Sequence, residues 1–350
     1  MTPLAIAATG ACTPIGTRAW QTASVLAAKQ SAFTRVQLPD HIDHLATVSR
    51  VSAIPSDETG TDRLIRLAAP ALAEAMPSDT RTHTSRQPIM LFLAVPSSMQ
   101  ELPLHCDPQR IALELPRALD LAAEYLPMRI FQGSAAAGAD ALAAAYQFMH
   151  ANLRVNQVLV GGVDSLCDTP VAHALYRRGW LKVNRYTEGF IASEGAAFVR
   201  LCRRPPDGEY ATVYPPGFAA EHHSRVGSQD LLDGRALIQC VQHAIDAAQF
   251  PVDALHAYWC DADGSAWRGS EAASLGAALA SQGGLPPAQE PAAFLGEMGA
   301  AWAPLMLSLF HEMRQSRHHP FMPHGNAGHA ALQSVSGHDE RVAAWVCIWS

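Results

Sequence analysis

Short runs of apolar residues alternate along the chain with longer stretches in which apolar residues recur every three or four positions. The short runs predict buried strands over residues 4–9, 89–95, 128–131, 157–163, 196–201, 211–214, 255–260 and 342–349. The longer stretches predict helices over residues 17–29, 62–76, 138–150, 230–249, 271–281 and 298–313. Pro304 is expected to kink the last helix or to lie in its first turn. Strands that alternate with helices are typical of a layered α/β fold with buried sheets.

Proline and glycine are concentrated in three stretches, which predict loops at residues 203–208, 283–291 and 320–328. None of them is long enough to be a disordered linker. With 350 residues, 49% of them hydrophobic, the chain can bury a large core. The pattern predicts one broad domain or two similar halves.

Charge and cysteine content narrow the class of protein. The formal net charge of -7 argues against nucleic-acid binding, which normally needs a basic patch. The first residues carry no basic stretch, and no run of about 18 apolar residues occurs, so we expect neither a signal peptide nor a membrane span. Seven scattered cysteines without CxxC spacing indicate reduced thiols, as in a cytoplasmic protein.

More specific patterns occur at the ends of the predicted strands and at helix starts. They are ATGACTPIG at residues 8–16, SAAAGADAL at 134–142, VGGVDS at 160–165, EGFIASEGAA at 188–197, DADGSA at 261–266 with EA at 271–272, and GEMGAA at 296–301. In this order, the segments resemble the landmarks of β-ketoacyl synthases of the thiolase superfamily. In that family they form the opening strand and turn, the nucleophile elbow with its helix and strand, and the two segments that carry the catalytic histidines.

The resemblance covers nearly the whole chain and implies a thiolase fold. This α/β fold has two pseudo-symmetric halves in a layered α-β-α-β-α arrangement, here residues 1–203 and 204–350. It also implies a dimer formed through an edge strand near Phe131.

The catalytic groups of the family are missing from the matched positions. Condensation needs a thiolate at a helix N-terminus and two imidazoles that stabilise an enolate. The nucleophile position falls on Ala135, or on Ser134 after a one-residue shift, and the two histidine positions fall on Asp263 and Glu297. The family's lysine falls near Ala292, and residues 334–339 (SVSGHD) replace its glycine-rich loop. We therefore expect no Cys-His-His catalysis, with these positions vestigial, and no cofactor or metal.

Each of these positions has an alternative interpretation. Ser134 lies outside a G-x-S-x-G motif, which favours a helix N-cap over a nucleophile. Asp263 and Glu297 either meet in the former active site, as an acid pair or a cation site, or cap a turn and a helix start; capping is favoured. The irregular histidines near residues 311–329 indicate a solvated loop rather than a metal site.

Three functions fit this sequence. The first is a non-catalytic partner that resembles the chain-length factors of polyketide systems, in a heterodimer with a ketosynthase and with an acyl carrier protein as a further partner. The second is a homodimeric adaptor that resembles degenerate thiolase-fold proteins encoded beside type VI secretion effectors. The third is an atypical acyltransferase or hydrolase that uses Ser134.

Overall fold

The computed structural model describes residues 2–38, 41–77, 88–97, 102–103, 105–184, 189–204, 210–220, 233–313, 318–319, 322–323, 328–338 and 341–349. Within these residues, eleven strands form one continuous sheet. One half of the sheet contains, in spatial order, β1 (Leu4–Cys12), β7 (Glu194–Cys202), β6 (Gln157–Ser165), β4 (Leu91–Pro96) and β5 (Met128–Gly133). The other contains β8 (Ala211–Val213), β15 (Arg341–Trp349), β14 (Ala330–Ser336), β10 (Ala257–Cys260) and β11 (Ala288–Gln289), with β9 (Gly217–Ala220) paired to β15.

Two small hairpins lie outside this sheet. They are β2 (Phe33–Leu38) with β3 (His41–Ser49), and β12 (His318–His319) with β13 (Met322–Pro323). The helices of the described part are α1 (Ala19–Ala27), α2 (Gly60–Ala75), α3 (Pro108–Arg117), α4 (Ala137–Ala151), α5 (Thr169–Arg177), α6 (Arg235–Ala248), α7 (Ala266–Leu279), α8 (Ala292–Leu295) and α9 (Trp302–Met313). None of the helices described is long and apolar enough to cross a membrane.

Alternating side chains of the strands pack in different layers, as the period of two residues requires. Leu159 and Phe198 face α2, whereas Val160 and Val199, one residue further along each strand, face α4 and α9. The second half of the sheet packs on α9 through one face and on α6 and α7 through the other. The layers are therefore helices, sheet, helices, sheet and helices, which confirms the predicted α/β thiolase architecture.

Strand β8 joins the two halves of the sheet. Its three residues pair with β1 on one side and with β15 on the other. The hydroxyl of Tyr146, from the central helix α4, donates to the carbonyl of Val213 and accepts from the backbone N–H of Leu4. The proposed boundary between residues 203 and 204 stays a prediction.

The eight predicted strands and six predicted helices are present, with shifted ends. Helix α7 begins five residues earlier than predicted, directly after the turn at Gly264, and α9 begins after a 3-10 turn at Gly299–Ala301. Pro304 lies in the first turn of α9, where a missing N–H costs no hydrogen bond. The loop prediction for residues 283–291 is wrong at Ala288–Gln289, which pair with β10. Parts of the other two predicted loops lie outside the described residues.

Candidate functional site

The segment between β5 and α4 is the elbow that carries the nucleophile in the resemblance. Ser134 directly follows β5, and its carbonyl accepts from the N–H of Ala137, where α4 begins. The residue before the helix is Ala136, so the prediction that Ser134 caps the helix is wrong. Ala135 is 0% exposed and lies in the central core, whereas Ser134 lines a cavity. Of the two candidate positions, only Ser134 is therefore placed to meet a ligand.

This cavity lies at the carboxyl ends of three parallel strands, β4, β5 and β6. Its volume is about 30 Å³, which leaves room for only a few water molecules. Its walls are mainly apolar and its polar groups are few. The lining residues are Pro96, Ser97, Leu102, Gly133, Ser134, Asp164, Leu166, Leu175, Trp180, Phe190, Glu297, Gly299 and His338.

Asp263 and Glu297, the positions matched to the family's histidines, lie together because both contact Arg268. The Arg268 Nη1 atom is 2.6 Å from Glu297 Oε2 and 3.1 Å from Asp263 Oδ2. Its Nη2 atom is 3.3 Å from Asp261 Oδ2. The side chain of Arg268 is 2% exposed, so one buried guanidinium contacts three buried carboxylates.

Backbone groups complete the contacts of this guanidinium. Arg268 donates to the carbonyls of Asp261 at 2.6 Å and Ser336 at 2.9 Å. Burial alone would lower the pKa of Arg268, but the three carboxylates outweigh burial and raise it. Burial would likewise raise the pKa of Asp263, but Arg268 and the Ser265 hydrogen bonds hold it below its usual value.

Glu297 also fixes the turn that precedes α9. Its Oε1 atom accepts from the N–H of Gly299 at 2.8 Å and from the indole N–H of Trp302 at 3.2 Å. The side chain is 0% exposed. Both parts of the capping prediction are thus confirmed in the geometry, since Asp263 Oδ1 accepts from the N–H of Ser265 at 2.9 Å. The two acids also lie together at Arg268, as the competing interpretation expected, although of the two only Glu297 lines the cavity.

His338 is the imidazole at this site, and it comes from the loop that replaces the family's glycine-rich segment. Its ring stacks on Trp180 at 5.7 Å between centroids and lies 5.6 Å from Trp267. Potential ligand atoms of Asp263, Glu297 and His338 lie within 4.8 Å of one another. We assign no metal to this trio, because Arg268 already supplies the positive charge that both carboxylates contact.

Asp164, from the GGVDS segment, also lines this cavity. Its carboxylate accepts from the N–H groups of Ser165 at 2.8 Å and Ala300 at 2.9 Å. Burial raises the pKa of Asp164 to about 7, with a further contribution from the charge of Glu297 and an opposing one from the two hydrogen bonds. Burial and Glu297 similarly raise the pKa of Asp261 to about 7, although Arg268 opposes them.

A second buried ion pair explains the EGAA part of the resemblance. Arg63 of α2 donates to both oxygens of Glu194 at 2.6 Å. Ser165 donates to the same carboxylate at 2.8 Å, and Val51 donates through its N–H at 2.7 Å. Glu194 therefore ties β7 to β6 and α2, next to the cavity but outside it.

The described lining of the cavity contains two serine hydroxyls (Ser97 and Ser134), one imidazole and two carboxylates, and no cysteine. Cys167 is close in sequence to the lining residue Leu166, but its thiol donates to the carbonyl of Ser49. Burial keeps the pKa of Cys167 well above its usual value, with Glu194 adding to the effect. A thiol held in this protonated form is a poor nucleophile.

No protein-family model and no curated protein sequence matches the chain. Solved structures define the class of fold, which is that of ketosynthases and chain-length factors. The resemblance predicted from the sequence is therefore confirmed at the level of the fold.

Three of these structures cover nearly the whole chain. The ishigamide ketosynthase/chain length factor is 18% identical, with 99% of each chain covered and a TM-score of 0.70. A ketosynthase in complex with its chain length factor from Xenorhabdus doucetiae is 14% identical, with 99% of this chain and 98% of that chain covered and a TM-score of 0.77. A type II polyketide synthase acyl-carrier protein in complex with its ketosynthase is 14% identical, with 99% and 98% covered and a TM-score of 0.74. These neighbours give no support to the secretion-associated alternative.

Proposed function

We propose that this protein is a non-catalytic, chain-length-factor-type partner of a ketosynthase in polyketide or fatty acid-type synthesis. The observation that carries the proposal is the contact of Arg268 with Asp263 and Glu297. These two acids stand where the resemblance puts the catalytic histidines. Their charges are bound to an internal cation rather than directed at a substrate.

Carbon–carbon bond formation by this family passes through an enolate, which needs hydrogen-bond donors around its oxygen. An ionised carboxylate only accepts hydrogen bonds and repels a developing anion. Glu297 lines the cavity in this role, and the nearby guanidinium of Arg268 is already shared by three carboxylates. The site therefore favours loss of condensation over a modified version of it.

The open edge of the sheet supports a partner. Strand β5 lies at the end of the strand order, and its outer side pairs with no strand in the described part of the chain. Arg129 and Gln132 are exposed there, and the Arg129 guanidinium lies 5.3 Å from the ring centroid of Phe131. An unpaired edge of this kind accepts a strand from another subunit. Two of the similar structures are described as ketosynthases with chain length factors.

The test is to co-express the protein with the ketosynthase encoded beside it and to measure the mass of the purified species by light scattering after gel filtration. We expect a 1:1 heterodimer. Replacing Arg129, which is exposed on β5, with Glu reverses a charge at the pairing edge, and the complex should dissociate about tenfold more readily. Leu153→Glu is the control, because Leu153 is 76% exposed and lies outside β5. Two separate peaks for the unmodified proteins would contradict the proposal.

Ser134 keeps a second candidate function open, since it and His338 line the same cavity. A serine assisted by an imidazole can accept an acyl group. Incubation with an acyl thioester followed by intact-mass spectrometry separates the two functions. The non-catalytic proposal expects no adduct, whereas an adduct that disappears in Ser134→Ala would establish acyl transfer instead.

A further inference from the structure

A groove on the outer side of α5 is separate from the cavity described above. It has a volume of about 600 Å³, which lies within the range of about 300–1,000 Å³ that is typical of small-molecule sites. The two spaces are neighbours, since Leu102 and Leu175 line the cavity whereas Pro103 and Ala174 line the groove. We call it the α5 groove, and its described lining is Pro103, Pro170, His173, Ala174, Arg177 and Arg178.

The sequence of α5 places its basic residues on the side of the groove. Val171, Ala172 and Leu175 are buried in the core beneath the helix. His173 and Arg177 are four positions apart, so their side chains are neighbours on the face turned away from that core, with Cβ atoms about 5–6 Å apart. The helical period therefore brings an imidazole and a guanidinium to the same part of the surface.

The α5 groove concentrates positive charge in a chain that is acidic on average. Its described lining contains no carboxylate, although the chain has 32 acidic residues against 25 lysines and arginines. Arg177 is exposed, and His173 and Arg178 are half-buried. The Arg178 guanidinium lies 5.3 Å from the ring centroid of Trp180. A guanidinium that stacks on an aromatic ring keeps its N–H donors in its own plane, where an anion can meet them.

These side chains define a class of ligand. Arginine N–H groups bind the oxygens of phosphate and carboxylate groups in pairs. Three donor side chains suit a phosphomonoester, which has three terminal oxygens and a charge of about -1.5 to -2, better than a carboxylate or a phosphodiester. The carboxyl end of a helix disfavours an anion, but this effect is smaller than that of one hydrogen bond to a charged group. Pro103, Pro170 and Ala174 offer apolar surface for an organic group on the phosphate.

We propose that the α5 groove binds a small organic phosphomonoester, with its phosphate on His173, Arg177 and Arg178 and its organic group against the two prolines. The proposal concerns this chain alone and does not depend on a ketosynthase partner, so its failure would leave the proposed function untouched. It gives the protein a small-molecule site outside the cavity at the carboxyl ends of β4, β5 and β6, whose volume of about 30 Å³ is too small for such a ligand.

The test is isothermal titration of the full chain with phenyl phosphate, inorganic phosphate, dimethyl phosphate and sodium benzoate at pH 8, where a phosphomonoester is a dianion. We expect phenyl phosphate to bind about tenfold more tightly than benzoate or dimethyl phosphate, because it adds charge and a third terminal oxygen. No preference over benzoate or dimethyl phosphate would overturn the proposal. Equal or tighter binding of inorganic phosphate would overturn the choice of an organic ligand.

Substitution of one arginine provides the residue-level test. Arg177→Gln should reduce the affinity for phenyl phosphate by about tenfold, because it removes a charge-assisted contact. Since Arg177 is exposed, its replacement should leave the fold intact. Arg117→Gln is the matched control, because Arg117 is also an exposed arginine in the last turn of a helix, α3, but lies outside the groove lining. Unchanged affinity in Arg177→Gln, or an equal loss in both variants, would overturn the assignment to the groove.

Discussion

Arg268 holds together the buried network of carboxylates at the candidate site. Taking a guanidinium and three carboxylates out of water is costly, and the cost is offset only while every charge keeps its partner. The distances of 2.6, 3.1 and 3.3 Å to Glu297, Asp263 and Asp261 meet this condition. The network is therefore stable as a unit and intolerant of the loss of Arg268, the one cation that the described residues place in it.

Replacement of this cation gives a first prediction. Arg268→Met should lower the free energy of unfolding by about 3–5 kcal/mol, because it leaves the carboxylates buried without a counter-charge. Arg235→Met is the control, since Arg235 is 87% exposed in its pair with Asp233, and its loss should change stability by less than about 1 kcal/mol. Urea unfolding followed by circular dichroism measures both. Equal changes in the free energy of unfolding would show that the buried network stabilises the fold no more than the exposed ion pair does.

Asp164 gives a prediction about pH. Its folded-state pKa of about 7 lies above the value near 3.9 of an unfolded chain, so the folded protein holds this proton more tightly. The stabilisation is complete below about pH 4 and is lost as the pH rises to about 7. Asp164→Asn has no such group, so its stability relative to the unmodified protein should rise across that window, by up to about 1.4 kcal/mol per pH unit. Urea titrations at pH 4.5, 6 and 7.5 measure this, and a flat difference would contradict the raised pKa.

The stability of Asp164→Asn must be compared with that of the unmodified protein at each pH, because another buried group changes the stability with pH in the opposite direction. Burial lowers the pKa of His311 to about 4, below the value near 6.5 of an unfolded chain. This histidine therefore stabilises the fold increasingly as the pH rises over about 4 to 6.5. Its effect cancels in the difference between the two proteins.

At the residue scale, the sequence located the positions of the candidate site but not the side chains that contact them. Asp263 and Glu297 were found because flanking glycines and alanines align with a known pattern. Arg268 and His338 were missed: the contacts of Arg268 with Asp261 and Asp263 span a turn and follow no helix or strand period. Its contact with Glu297 joins residues 29 positions apart, and His338 is further still from both acids along the chain. An arginine in the otherwise small and apolar start of α7 was the available hint.

At the scale of the elements, α4 and β6 pack closely against α9 and the turn before it because glycine residues lie at their contacts. A Cβ built on Gly162 would lie 2.2 Å from the carbonyl oxygen of Ala300, and one on Gly138 would lie 2.6 Å from Pro304. No side chain fits at these distances, so the elbow and the turn before α9 can approach only with glycine.

A glycine substitution tests this packing. Gly162→Ala should destabilise the protein by about 1–3 kcal/mol, because the added methyl forces β6 and the Ala300 turn apart. Gly276→Ala is the matched control, since Gly276 lies in α7 with no atom within 4 Å of the added Cβ, and it should stabilise by about 0.5–1 kcal/mol. Thermal unfolding of both variants measures the effects. Destabilisation of similar size at both positions would contradict the proposed close approach.

Two helices that the sequence analysis omitted, α3 and α5, had local signals. Helix α3 begins after Asp107, whose carboxylate accepts from the N–H groups of Gln109 and Arg110 at 3.0 and 3.1 Å, with Pro108 at its first position. Helix α5 begins after Asp168 with Pro170 in its first turn, but the Asp168 carboxylate accepts from the N–H of Gly60 rather than from its own helix. The hairpin of β2 and β3 is harder to predict, because its apolar residues show no strong alternation and pack on α5 and on residues 180–183 and 190–192.

For the whole molecule, the thiolase-type architecture follows from the order of elements. Alternating strands and helices predict layers, but only the motif resemblance indicated that two sheet halves enclose central helices. The single continuous sheet was not anticipated, since β8 has only three residues and pairs with strands about 200 and 135 positions away. Such pairings depend on tertiary contacts rather than local pattern.

Strand β8, which joins the two halves of the sheet, has a consequence for amide hydrogen exchange. Because Ala211–Val213 form backbone hydrogen bonds with both β1 and β15, we expect that neither half of the sheet can open without breaking hydrogen bonds of β8 that also hold the other half. The amides of β1 and β15 should therefore exchange with the same opening free energy. Tyr146→Phe removes the hydrogen bonds of the Tyr146 hydroxyl with Leu4 and Val213, so it should lower the opening free energy of both strands by the same amount, about 1–3 kcal/mol. Earlier exchange in one half would show that the halves open separately. A protein with a shared opening has no partly unfolded state in which a protease could reach one half alone.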